Sequence, residues 1–125
     1  MNNKILGIIF LLAGVLLFMG STVVAYNTFN FLKTAQIAKG IVTKLNAGGS
    51  HLEVSFTTIE GEEISYPQNG LIFGFNVGDS VDVLYNDSSP REMVINNFSA
   101  IWGFNIIFII MSLIFIIVGG FLIFS

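Results

Sequence analysis

No cysteine occurs anywhere in the chain, so it can form no disulfide, thiolate nucleophile, cysteine zinc cluster or lipoprotein anchor. Redox chemistry therefore says nothing of its compartment. Charge is almost as scarce: charged residues make up 10% of the chain, against about 25% in an ordinary soluble domain. Five residues are basic, too few for a cationic stripe that tracks phosphates, which excludes nucleic acid as a partner. Two prolines and one histidine, His51, complete the shortages. What fills the 125 residues instead is hydrocarbon, with 54% hydrophobic residues and 13 phenylalanines. That composition excludes a disordered tail and a typical soluble enzyme.

The few charges are unevenly placed. None lies between Lys4 and Lys33, and none after Glu92. These gaps hold two apolar runs, Ile5–Tyr26 and Ile101–Phe124, each meeting the roughly 20 residues a helix needs to cross hydrocarbon. Neither run carries the polar stripe of a helix packed on a soluble core. Lys4 ahead of the first run, and Val23 with Ala25 inside it, resemble a signal peptide with its cleavage site. A signal h-region spans roughly 7–15 residues, however, so the longer run reads as an uncleaved anchor. The segments expected are a tail (1–4), a first transmembrane helix (5–26), a linker (27–35), a β-domain (36–97) and a second transmembrane helix (98–125). The region between the spans holds eight acids and four bases, a formal charge of −4, and is the part able to fold in water. Both helices must then enter the membrane from its side.

Antiparallel helices keep a constant index sum at their contacts. Gly7 with Gly119, Gly14 with Ser112, and Ser21 with Asn105 share one such sum, and so do Tyr26 and Ala100. Seven-residue spacing holds each set on one helix face, and small residues let backbones approach where lipid supplies no hydrophobic drive. Gly7, Gly14, Ser21, Asn105, Ser112 and Gly119 are therefore the candidate packing residues, with Ser21 the natural partner of the Asn105 amide. The same stripes would also serve to join two copies of the chain. Tyr26 and Trp102 fit an interfacial aromatic belt. Neither span contains Asp, Glu, Lys, Arg or His, one of which a proton relay or charge-coupled transporter would need.

The central segment alternates short strand-like stretches with turn signals. Lys39–Leu45 is followed by a turn at Asn46–Ser50. Leu52, Val54 and Phe56 then alternate with polar residues, as in a strand with one buried face. Glu60-Gly61 turns the chain into Glu63–Tyr66, which Pro67 stops. Gly78-Asp79 leads to Ser80–Tyr85 with Val81, Val83 and Tyr85 inward, and Asn86–Pro90 turns into Glu92–Ile95. The fold expected is a membrane α + β protein: a two-helix transmembrane hairpin with an inserted small antiparallel β-domain, an SH3-like or OB-like half-barrel. Leu71, Ile72, Phe73 and Phe75 form an apolar run between turn signals. It is either an extra core strand or a loop that meets the membrane or a partner.

The run Val77–Ile95, with Gly78-Asp79, Val81, Val83 and Leu84-Tyr85, resembles the signature of domain-of-unknown-function family 3592. Gly40-Ile41-Val42 and the stretch Val54–Thr57 with Glu60-Gly61 are similar to its upstream strands. Glu60 replaces its usual Asp, and Asp87 stands where its first Pro is common. The resemblance implies a small bacterial membrane protein with no catalytic residues to carry over.

Catalysis finds no footing in the residues. His51 lacks an oriented partner, and Asp79 and Asp82 point to different faces of a turn and strand. Glu60, Glu62 and Glu63 read as a solvated hairpin tip rather than a calcium loop. No enzyme, cofactor, metal or small-molecule substrate is expected. The function read is a noncatalytic, membrane-anchored binding or accessory module that presents its β-domain to another membrane or envelope protein. The alternatives are an immunity-type protector against a toxin and a subunit of a homo-oligomeric pore or transport assembly. Location is expected in the bacterial inner membrane as a multi-pass protein in contact with the lipid bilayer. The signal-like start and acidic domain favour an extracytoplasmic β-domain with both termini cytoplasmic.

Overall fold

The computed structural model describes residues 2–46, 51–70 and 72–125. Residues 47–50 of the turn expected at Asn46–Ser50, and Leu71 of the apolar run, lie outside the described residues. The elements run α1 (Asn3–Thr34), β1 (Gln36–Asn46), β2 (His51–Thr57), β3 (Glu63–Pro67), β4 (Ser80–Asn86), β5 (Ser89–Ile95) and α2 (Phe98–Ile123). This is a helix–sheet–helix fold of membrane type. The chain divides into two compact units, Met1–Asn27 with Asn105–Ser125, and Thr28–Phe104.

The first unit is a helix pair. Neither proline falls in α1 or α2, so no backbone donor is missing from their interiors. At 32 and 26 residues they extend about 48 and about 39 Å, more than the roughly 30 Å of hydrocarbon. Only 11% of the most apolar window of each helix is buried, whereas the core helix of a soluble protein is mostly buried. Both helices are therefore long and apolar enough to cross a bilayer. Side chains cap both starts: Asn2 Oδ1 accepts from the Lys4 N–H at 2.7 Å, and Asn97 Oδ1 from the Ser99 N–H at 2.8 Å.

The second unit is a five-stranded antiparallel sheet in the order β3-β2-β1-β4-β5, curled into a half-barrel. Two devices in β1 bend it. Gly40 faces inward where a Cβ would meet Val54 Cγ1 at 2.8 Å and Val83 Cγ2 at 2.9 Å, so its lack of a side chain lets β2 and β4 close over it. Next, the register with β2 slips between Val42 and Lys44, leaving Thr43 as a bulge that adds twist. The concave face buries Val42, Leu52, Val54, Phe56, Ile64, Val81, Val83, Tyr85, Met93 and Ile95. Tyr85 stacks at 5.0 Å on Phe56, while its hydroxyl accepts from the Ile59 N–H at 3.0 Å and donates to Gln36 Oε1 at 3.3 Å.

Closure of the curl falls to the two residues after β3. The Gln68 N–H donates to Leu52 O on β2, and the Asn69 N–H to Met93 O on β5, each at 2.9 Å. The buried Gln68 side chain adds Oε1, which accepts from the Gly70 N–H at 2.8 Å and more loosely from the Ile95 N–H at 3.5 Å. Its amide nitrogen donates to Gly70 O.

Boundaries differ from the sequence reading in two places. Residues 27–34, read as part of a linker, continue α1 as helix, because Phe31 and Leu32 with the adjoining Ala35 pack against the sheet core. The turn read at Asn86–Pro90 is tighter: Asn86 already pairs with Ser89, so Ser89 and Pro90 belong to β5. Pro90 is tolerated there because β5 is an edge strand.

Replacing Gln68 by Leu keeps its bulk but strands the Gly70 and Ile95 donors. The sheet should lose about 1–3 kcal/mol, seen as a lower thermal midpoint for the full chain in detergent. Asn69→Ala, whose contribution is a backbone N–H, should leave that midpoint nearly unchanged.

Candidate functional site

Within the helix pair, the small and polar residues meet along one seam. Gly7, Gly14 and Ser21 are the buried residues of α1. A Cβ on Gly7 would lie 2.7 Å from Gly119 O, and one on Gly119 would lie 2.7 Å from Gly7 O, so the two backbones touch. One step along, Ser112 Oγ donates to Gly14 O at 2.8 Å. At the next, Asn105 Nδ2 donates to both Ser21 O and Ser21 Oγ at 2.8 Å. The structure thus brings together all six seam residues as three pairs. Phe10 and Phe115 add an edge-on ring contact at 5.4 Å.

The remaining sequence candidates are dispersed. Tyr26 is exposed on α1. Trp102 sits edge-on to Phe29 at 5.2 Å, a partner that sequence reading did not single out. The apolar run separates by residue: Ile72 is 2% exposed and belongs to the core, Phe75 packs partly against it, and Phe73 is 65% exposed. Leu71 falls outside the described residues.

A second surface was not foreseen. On the convex side of β1, Ile37 and Ile41 are 61% and 52% exposed, and Ile59 beyond β2 is 74% exposed. Between the first two, Lys39 Nζ pairs with Asp82 Oδ1 across β4 at 2.6 Å. Ile37, Lys39, Ile41 and Ile59, with Ser55 and Thr57, line a shallow groove of about 480 Å³. The signal available in the sequence was the period-two spacing of Ile37, Lys39 and Ile41, which puts them on one face.

The groups weighed for chemistry have other occupations. Asp79 Oδ2 accepts from the Asn76 N–H at 2.8 Å and shapes its turn. At the Glu60–Glu63 tip, Gly61 adopts φ +89°, and Thr58 Oγ1 accepts from the Glu62 N–H at 3.1 Å. Among the described residues, no three His, Cys, Asp or Glu side chains gather where they could hold a metal ion.

No protein-family model matches the chain, and no solved structure matches it. Among curated proteins, an immune protein of Pseudomonas aeruginosa named Tsi4 is 44% identical over 96 residues. The chain is similar to an immune protein. That match covers 76% of this chain and 66% of the relative, just under two thirds of its length. The resemblance to domain-of-unknown-function family 3592 is overturned by these findings. The residues that suggested it hold structural positions: Gly78 turns the chain at φ +94°, and Val81, Val83 and Tyr85 fill the core. Any small curled sheet needs such residues, so they do not distinguish one family from another.

The neighbouring glycines at the end of α2 give the seam a test with opposite signs. Gly120→Ala adds a Cβ that meets nothing within 4 Å, and should stabilise the helix by about 0.5–1 kcal/mol. Gly119→Ala drives a methyl into the Gly7 carbonyl and should destabilise it. Unfolding in mixed micelles titrated with dodecyl sulfate, followed by circular dichroism, reads both changes.

Proposed function

We propose that this chain is a membrane-anchored immunity protein that neutralises a toxin by binding it at the bilayer. The observation carrying this reading is the 44% identity to an immune protein across 96 residues. The protective reading is thereby favoured over the general accessory module. The role is noncatalytic: protection comes from occupying a surface, not from turning over a substrate.

In this reading α1 and α2 cross the membrane as a hairpin, and the seam from Gly7–Gly119 to Ser21–Asn105 holds them in register. Tyr26 and Trp102 lie at the headgroup level as anchors. The β-domain faces outward and both termini lie in the cytoplasm, in keeping with the signal-like start and the acid-rich domain. The toxin meets the convex face of β1. Ile37, Ile41 and Ile59 flank one ion pair, so the face offers exposed apolar side chains beside paired charges, the two kinds of group that protein contacts combine. Exposed apolar residues clustered on a water-facing sheet are themselves a mark of such surfaces.

Where a toxin is encoded beside its gene, co-expression of the two should restore growth. The double change Ile37→Asp and Ile41→Asp should abolish rescue while leaving the membrane level of the chain unchanged. Rescue that survives this change would move the contact elsewhere, and failure of the native chain to rescue would end the reading. For orientation, Ile59→Cys supplies a single thiol in a chain without any. An impermeant maleimide should label it in intact spheroplasts; labelling only after permeabilisation would place the domain inside.

A further inference from the structure

Two exposed turns of the sheet unit contrast in chemistry. The hairpin tip carries Glu60, Glu62 and Glu63 within four residues, as a turn facing water does. From Ile64 to Gly78 there is no charge at all, yet this stretch contains the exposed Phe73 and Val77. Water alone gives no reason for that difference.

Its position does. Gly70 presses on the first turn of α2: a Cβ built on it would lie 2.5 Å from Ala100 O and 2.6 Å from Ala100 Cβ. Ala100 directly precedes the apolar run that begins at Ile101. Three residues of chain reach at most about 11 Å, and the polar layer on each side of the hydrocarbon is about 5–7 Å deep. Phe73 therefore starts within reach of the lipid surface. Gly74, at φ +88°, reverses the backbone between two aromatic residues, so that Phe75 turns to the core and Phe73 turns out. Ile72 is locked in the core on the other side, leaving Phe73 as a projecting ring on a loop fixed at both flanks. Exposed Phe98 and the Phe29–Trp102 pair put further aromatic rings on the helix turns of this unit.

We propose that Phe73, with Val77 on the same loop, is a lipid-surface anchor that inserts among the headgroups and holds the β-domain down on the bilayer. The inference rests on α2 crossing the membrane and is independent of any toxin. Since the chain has no cysteine, a nitroxide on Phe73→Cys reports on that position alone. The full chain would be reconstituted in vesicles of phosphatidylcholine and phosphatidylglycerol. Collisions with oxygen, which concentrates in lipid, are compared with those of a neutral nickel chelate, which stays in water.

Oxygen should exceed nickel at residue 73, as at Leu113→Cys on the exposed side of α2, and the order should reverse at Ile59→Cys. A water-like ratio at 73 beside a lipid-like one at 113 would overturn the anchor and leave the span standing. Water-like ratios at both would overturn the span as well. Exclusion of both reagents at 73 would mean burial against protein, and would also overturn the anchor.

Discussion

An amide surrounded by hydrocarbon has only the protein to bond with. Asn105 meets that constraint by reaching across to Ser21, using one nitrogen for both the backbone and the hydroxyl oxygen. The choice of partner sets the register of the whole pair. A slide of about one turn would bring Asn105 opposite Leu17 or Ala25, whose side chains can accept nothing. With Asn105 fixed, the seven-residue spacing delivers Ser112 to the Gly14 carbonyl and Gly119 to Gly7. Close backbone approach and polar satisfaction thus enforce the same alignment, one supplying contact area and the other specificity.

The helix pair was legible because its two charge-free runs are long enough for helices that could cross a bilayer, and such helices follow few rules. A charge-free run announces a long apolar helix, and small residues at matching positions announce a contact. The strands were legible for a related reason, since Leu52, Val54 and Phe56 or Val81, Val83 and Tyr85 alternate as a one-sided sheet requires. What escaped was everything decided by a partner distant in sequence. Gln68 reads as an ordinary polar residue after a proline, and only the curl of the sheet shows it joining β2 to β5. Residues 27–34 look like a linker because Asn27, Thr28 and Asn30 are polar. The helix persists because Phe31 and Leu32 find a core to pack on. The family resemblance misled for the converse reason, being built from turn and core residues that fold demands regardless of descent.

Function was less visible than fold. Among the described residues no three His, Cys, Asp or Glu side chains gather, and the role proposed above rests on similarity to a relative rather than on a site. The structure's contribution is to separate the apolar residues of the sheet unit by what they do. Ile64, Ile72 and Ile95 are spent on the core, whereas Ile37, Ile41 and Ile59 are left outside around one ion pair. These three exposed isoleucines are the side chains that the proposed contact with another protein would use.

The two prolines sit on the two outermost strands, Pro67 ending β3 and Pro90 near the start of β5. Each removes a backbone donor from an edge, and Gln68 with Asn69 stitches those edges toward one another. A half-barrel fastened in this way resists β-augmentation, the mode in which an incoming chain extends the ladder with its own backbone. Recognition by this domain is thereby steered to its side chains, where a few substitutions can retarget specificity without disturbing the sheet beneath.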